Sequence, residues 1–195
     1  MKKILVVVFV LIASYGYAQD LKFGAKAGLN LSNIVGDDVK DVDMKTGLYF
    51  GGFLNVPLNT RQSIQVELLY SRQGWKVEEE SAEETLKLSY LNIPLLFRQS
   101  LGASNKIHFY SGPQLGFLLD AEADYEDEFG SDTEDVDDYI NNIDFSLNLG
   151  FSIVVSDNMS LDLRYNKGLS KVLDFDDEGI KAYNSSFQVG VSYLF

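Results

Sequence analysis

Strict alternation of apolar and polar residues, repeated in segment after segment, is the feature that most limits what this 195-residue chain can become. A period of two gives a strand two chemically different faces, whereas a helix needs a period of 3.6, and no segment beyond the first eighteen residues sustains that. Eight alternating segments follow one another. In the first, Phe23, Ala25, Ala27, Leu29 and Leu31 share one face, against Lys22, Gly24, Lys26, Gly28, Asn30 and Ser32. The second carries Leu48, Phe50, Leu54 and Val56, the third Ile64, Val66, Leu68 and Tyr70, and the fourth Leu91, Ile93, Leu95 and Phe97. Ile107, Phe109, Leu115, Phe117 and Leu119 mark the fifth. The sixth is the most regular, with every second residue from Ile143 to Val155 apolar. Met159, Leu161, Leu163 and Tyr165 define the seventh, and Tyr183, Phe187, Val189, Val191, Tyr193 and Phe195 the eighth.

Alternation alone does not separate a soluble sandwich from a membrane barrel, but the composition of the two faces does. The polar face is rich in Gly, Ser, Asn and Gln, with bulky Tyr49, Tyr90 and Tyr110 among them, which suits the crowded inside of a small barrel better than a surface in bulk water. The apolar face has no charge in the middle of any segment, where Lys or Arg facing mid-bilayer would cost about 2–4 kcal/mol. Short turns near Asn59, at 102–105 and at 157–158 alternate with long connections at 33–46, 75–87, 120–141 and 168–181. The expectation is an all-β, eight-stranded antiparallel up-and-down transmembrane β-barrel with short periplasmic turns and long outer loops. Phe23, Phe97, Phe109, Tyr193 and Phe195 then ring one rim, and Tyr70, Phe117, Phe145, Tyr165 and Tyr183 the other, where amphipathic rings favour the interface.

Lys2 and Lys3, an apolar run from Ile4 to Ala13, and the small residues Gly16 and Ala18 around Tyr17 read as a signal peptide. The run is about half of the ~20 residues a helical span needs. Residues 1–18 are therefore expected to be cleaved, leaving 19–195 as a single barrel domain in the outer membrane. The formal charge of −13, made two units more negative when the leader lysines go, excludes nucleic acid as a partner, since phosphate binding needs a basic stripe. The absence of Cys excludes disulfides, thiolate metal sites and lipid acylation of a cysteine.

The stretches FGAKAGLNLSNI at 23–34, ELLYSRQGW at 67–75, YLNIPLLFR at 90–98 and GPQLGFLL at 112–119 resemble the PorT-like outer-membrane β-barrel family, often labelled the porin family. The resemblance covers essentially the whole chain after the leader. It implies an eight-stranded barrel and admits a transport or secretion role, either as a narrow channel or as a secretion-system partner, but it transfers no site residue. The ending, Phe195 preceded at every second position by Tyr193, Val191, Val189 and Phe187, resembles the signal read by the barrel-assembly machinery.

Candidate chemistry is sparse. His108 is the single histidine, and a lumenal hydrogen-bonding role suits it better than catalysis, which would need a nucleophile with a positioned base at the lipid or outer rim. No enzyme activity and no cofactor are expected. Lys22, Lys26, Glu67, Arg98, Asp144, Asp162 and Arg164 face inward, and an eight-stranded lumen is just wide enough for its own side chains. Lys26, Glu67, Arg98, Asp144, Asp162 and Arg164 are therefore expected to form ion pairs that plug it, with Arg98 and Arg164 each paired to Glu67, Asp144 or Asp162. Residues 120–138 contain 11 acids among 19 residues and no Lys or Arg. Asp124, Glu126, Glu128, Asp132, Glu134 and Asp135 are weak metal candidates for Ca²⁺ or Mg²⁺ in what reads as a mobile, solvated loop. Asp174, Asp176, Glu178 and Gly179 imitate the start of an EF-hand loop, but Ser185 stands where the bidentate Glu belongs, so the match is chance. The expected partners are outer-membrane lipid and lipopolysaccharide, the barrel-assembly machinery and an envelope protein. The expected role is structural or surface-interacting, through acidic outer loops over a closed lumen.

Overall fold

The computed structural model describes residues 21–36, 42–79, 82–127, 130–173 and 181–195. The leader, the EF-hand-like run and Glu128 lie outside the described residues. Nine strands form: β1 (Lys22–Val35), β2 (Asp43–Pro57), β3 (Gln62–Glu79), β4 (Ala82–Leu101), β5 (Ile107–Asp127), β6 (Gly130–Asp135), β7 (Ile143–Val154), β8 (Met159–Gly168) and β9 (Tyr183–Leu194). Eight of them make the barrel by antiparallel neighbour pairing, and β9 pairs back onto β1 from Tyr183↔Val35 to Leu194↔Gly24. The ring therefore has no open edge. β6 stands outside it, paired only with the outer end of β5.

The alternation read from the sequence places every barrel strand with its apolar face outward. Leu29, Leu48, Phe50, Leu68, Leu149, Leu163 and Val189 are exposed on the outside, while Lys26, Asn30, Glu67, Gln114, Asn148 and Arg164 are buried within. Such a distribution would be ruinous in water and is stable only with hydrocarbon around the belt. Aromatic pairs mark both rims of the belt. Phe23–Phe195, Tyr193–Phe195 and Phe109–Phe151 sit at the short-turn end, and Phe50–Tyr70 and Tyr165–Phe187 at the other.

Two of the expected long connections are in fact strand. β3, β4 and β5 run for 18, 20 and 21 residues, well beyond the ~9–11 that span a bilayer, so 75–79, 82–87 and 120–127 form a sheet above the rim. Residues 130–135 then fold back on β5 as β6. The cause is that alternation persists past the membrane, because Trp75, Leu86 and Leu88 continue the inward parity of their strands. In β5 a register shift opposite Ser89 and Tyr90 adds one residue, so Ala121 and Ala123 turn inward and Asp120, Glu122 and Asp124 turn out.

Glycines on the inner face make room for rings. Tyr49 lies over Gly28 and Gly190, where an added Cβ would collide with the ring and with its hydroxyl respectively. Tyr110 covers Gly150 and Phe53 covers Gly24 in the same way, filling the space a missing side chain leaves. Gly190→Ala is expected to destabilise the barrel by about 1–3 kcal/mol through overpacking. Adding Tyr49→Phe, which removes the colliding hydroxyl, recovers part of that loss, as urea titrations of micelle-folded protein would measure.

Candidate functional site

The lumen holds buried charges that packing alone does not require. Glu67 on β3 is the hub. Its Oε1 accepts from Lys26 Nζ of β1 at 3.1 Å, from Arg164 Nη2 of β8 at 2.8 Å and from Gln65 Nε2 at 2.6 Å. Lys26 also reaches Asp162 Oδ1 at 3.4 Å. Both cations stack near the Tyr110 ring, at 5.7 Å for Lys26 and 5.2 Å for Arg164, while the Tyr110 hydroxyl donates to the Leu163 carbonyl at 3.2 Å. Two cations and two anions from three strands thus meet across the barrel, all buried.

Two of the six residues expected in this cluster are elsewhere. Arg98 forms no ion pair among the described residues and donates from Nη1 to Gln65 Oε1 at 2.7 Å. The reason is level: Arg98 sits opposite Ser63, four residues below Glu67 on β3, or ~13 Å at the rise of a strand. Asp144 accepts from Asn184 Nδ2 at 3.2 Å and from Ser170 Oγ at 3.4 Å. On β7 it lies eight residues, ~26 Å, beyond Ser152, the partner of Asp162, and so belongs to the outer end.

Above the charges lies a layer that the sequence reading missed. Ile34, Trp75, Leu86, Leu88, Tyr90, Ala121, Ala123, Ile140, Val172 and Ala182 form a buried apolar cluster inside the outer end of the barrel. Its signal in the sequence was Trp75, Leu86 and Leu88 continuing the inward register of their strands. The acidic, loop-like composition of 75–87 masks it.

The acidic segment is an exposed hairpin, and its carboxylates do not converge. Glu122 stands opposite Asp135, a like-charge pair that is unfavourable on its own. Lys87, from the neighbouring β4, pairs with Asp124 and holds that carboxyl below the usual carboxylate range, with Thr133 Oγ1 donating to the same side chain at 3.2 Å. Asp132 accepts from the backbone N–H of Thr133 at 2.9 Å, and Asp135 from that of Asp137 at 3.1 Å. Glu134 is exposed on β6, and Glu126 is placed only by its strand register, opposite Ser131. Among the described residues no three His, Cys, Asp or Glu side chains are grouped to hold a metal. His108 is half-buried at the short-turn end, and no described hydrogen bond joins it to a hydroxyl.

A closed ring of eight strands, apolar outside and polar inside, defines a class: the outer-membrane β-barrels. Residues 17–174 match the outer membrane protein beta-barrel domain family, and the chain belongs to it. Its fold is similar to that of Neisserial surface protein A, with a TM-score of 0.57 at 14% identity over 91% of this chain and all of the other. It is also similar to Ail, the attachment invasion locus protein of Yersinia pestis, with a TM-score of 0.52 at 14% identity over 89% of this chain and 98% of that one. No curated protein sequence matches the chain.

Truncating Glu67 would leave Lys26 and Arg164 buried without their shared counter-charge. Glu67→Ala is expected to destabilise the barrel by roughly 3–5 kcal/mol, and Arg98→Gln by distinctly less, because Arg98 has no carboxylate to strand. Denaturant midpoints of the two variants folded in micelles would show the order.

Proposed function

We propose that the chain is a non-enzymatic outer-membrane barrel with an occluded lumen, acting as a structural or surface-interaction protein through its acidic outer end. The observation that carries this reading is the two-level filling of the lumen. The Lys26–Glu67–Arg164–Asp162 network lies at one level and the apolar cluster around Trp75 and Leu88 above it. An ion crossing the barrel would have to part buried charge pairs and then enter an apolar layer, and each step is unfavourable. Planar-bilayer recordings of the wild type are expected to lack large, steady openings. Their presence would replace this reading with that of a channel.

Export by the leader at 1–18 and assembly through Phe195 complete the proposal. Phe195 packs against Phe23 and Tyr193 at the β1–β9 seam, and its N–H donates to the Phe23 carbonyl at 2.9 Å, so the assembly signal would also lock the last strand pair. Lipid and lipopolysaccharide surround the belt, and the exposed acids of β5 and β6 offer a surface for an envelope partner or for divalent ions shared with lipid phosphates. Cation binding there is weak and diffuse, because the carboxylates are spread along strands and form no cage. Calorimetry should show Ca²⁺ uptake with a Kd nearer ~10⁻⁴ to 10⁻³ M than that of a cytosolic sensor, falling with salt and abolished by removing residues 120–138. Equal uptake without the segment would remove the acidic end from the proposal. A second reading, a secretion-system component of PorT-like type, draws its support from the stretches at 23–34, 67–75, 90–98 and 112–119.

A further inference from the structure

The lumenal ion pairs leave Arg98 without a carboxylate in contact, as they do Lys45 toward the outer end, whose Nζ donates to the Gln73 carbonyl at 3.1 Å. Lys26 and Arg164 are matched by Glu67 and Asp162, whereas Arg98 meets only the neutral amide of Gln65, and its buried Nε has no acceptor among the described residues. A guanidinium held partly out of water with no carboxylate in contact is costly, and an anion would relieve that cost. Arg98 does not face a closed space. It lines a cavity of about 260 Å³ whose other walls include the β2–β3 and β7–β8 turns, so the cavity opens at the short-turn end.

The rest of that cavity has the same sign. Lys22 and Arg61 stand exposed among its lining residues, and Asn55 adds a neutral amide. His108 lines it too, and its buried Nδ1 has no partner among the described residues. Asp157, exposed in its turn, is the one carboxylate among the described lining residues, and the deeper Asp162 is engaged by Lys26. In a chain of formal charge −13, this mouth gathers two arginines and a lysine against one acid among the described lining residues.

We propose that the short-turn mouth is a binding site for a small soluble oxyanion, bearing phosphate or carboxylate, taken from the aqueous compartment at that end. Lys22 and Arg61 attract the anion to the opening, and the Arg98 guanidinium, planar and permanently charged, receives its oxygens at the inner wall. The neutral Glu67 network lies behind Arg98, so the anion stops there. The site stands whether or not the barrel conducts, and it goes beyond the occluded-barrel reading.

The test uses the full chain folded in zwitterionic micelles, which bring no competing anion, with ¹⁵N-labelled arginine and inorganic phosphate as probe at constant ionic strength. A saturable shift of the Arg98 Nε resonance is expected, with Arg72, at the opposite rim, unmoved. By calorimetry Arg98→Gln should weaken uptake by about tenfold or more, the loss of hydrogen bonds to a charged group. The Lys22→Gln, Arg61→Gln double variant alters only exposed side chains, so it tests the same cavity independently of the folding of Arg98→Gln, and it should weaken binding several-fold. No saturable shift in the wild type, or undiminished binding by the double variant, overturns the site. Repeating the titration in nanodiscs containing phosphatidylglycerol separates the sources of phosphate. An Arg98 resonance already displaced before phosphate is added would assign the mouth to a lipid headgroup and overturn the soluble anion.

Discussion

A backbone N–H or C=O in hydrocarbon has no water to bond to, and each one left unpaired costs several kcal/mol. That constraint accounts for the ring. Eight strands satisfy one another only if the last returns to the first, and the β1–β9 ladder, continuous from Gly24 to Val35, makes that return. The register of this seam brings Phe23, Tyr193 and Phe195 together, so closure and the aromatic rim are consequences of one pairing. The inside-out distribution of side chains follows as well, since the outer face must match lipid and the polar groups have only the lumen left.

Polar groups forced into a narrow lumen must find partners there, and most do so along the barrel wall. Asn148 donates to Gln114 at 3.2 Å and Asn166 to Ser146 at 2.9 Å between neighbouring strands, and Asn30 of β1 donates to Ser71 of β3 at 3.0 Å across β2. Charges reach further. Lys26 and Arg164 come from opposite sides of β9 and meet at Glu67 on β3, tying non-neighbouring strands together in a way the backbone ladder does not. The layer above is apolar and the mouth below is cationic, so the interior changes character along its axis.

Beyond the rim, the lipid constraint lapses and water takes over. The sheet there is held by continued pairing of β3, β4 and β5, with Trp75, Leu86 and Ala121 turned inward and acids turned outward. Lys87 lies on the outer face beside the acidic strand and pairs with Asp124, an exposed pair of the sort that contributes little stability. The outward acids repel other anions while the opposite mouth attracts them, which gives the molecule an electrostatic direction along its axis.

The period of two by itself determined the strands, their count in the barrel and the face each residue takes, because a strand has only two faces and lipid tolerates only one kind outside. Glu67, Arg164, Lys26 and Asp162 were legible as inward charges for the same reason. Which of them meet was decided by level along the barrel, a property of strand register that a sequence read one segment at a time does not contain: Gln65 intervenes between Arg98 and Glu67, and Asp144 stands far from Asp162. The apolar layer under the outer end was hidden by the acids around it. Loop-like composition at 75–87 and 120–138 outweighed a parity that Trp75, Leu86 and Leu88 still kept. A single extra residue in β5, invisible as a pattern, reversed which side of the strand faced in. The cationic mouth likewise exists only in three dimensions, where turns distant in sequence bring Lys22 and Arg61 round Arg98, a lumenal cation that register left without a carboxylate in contact.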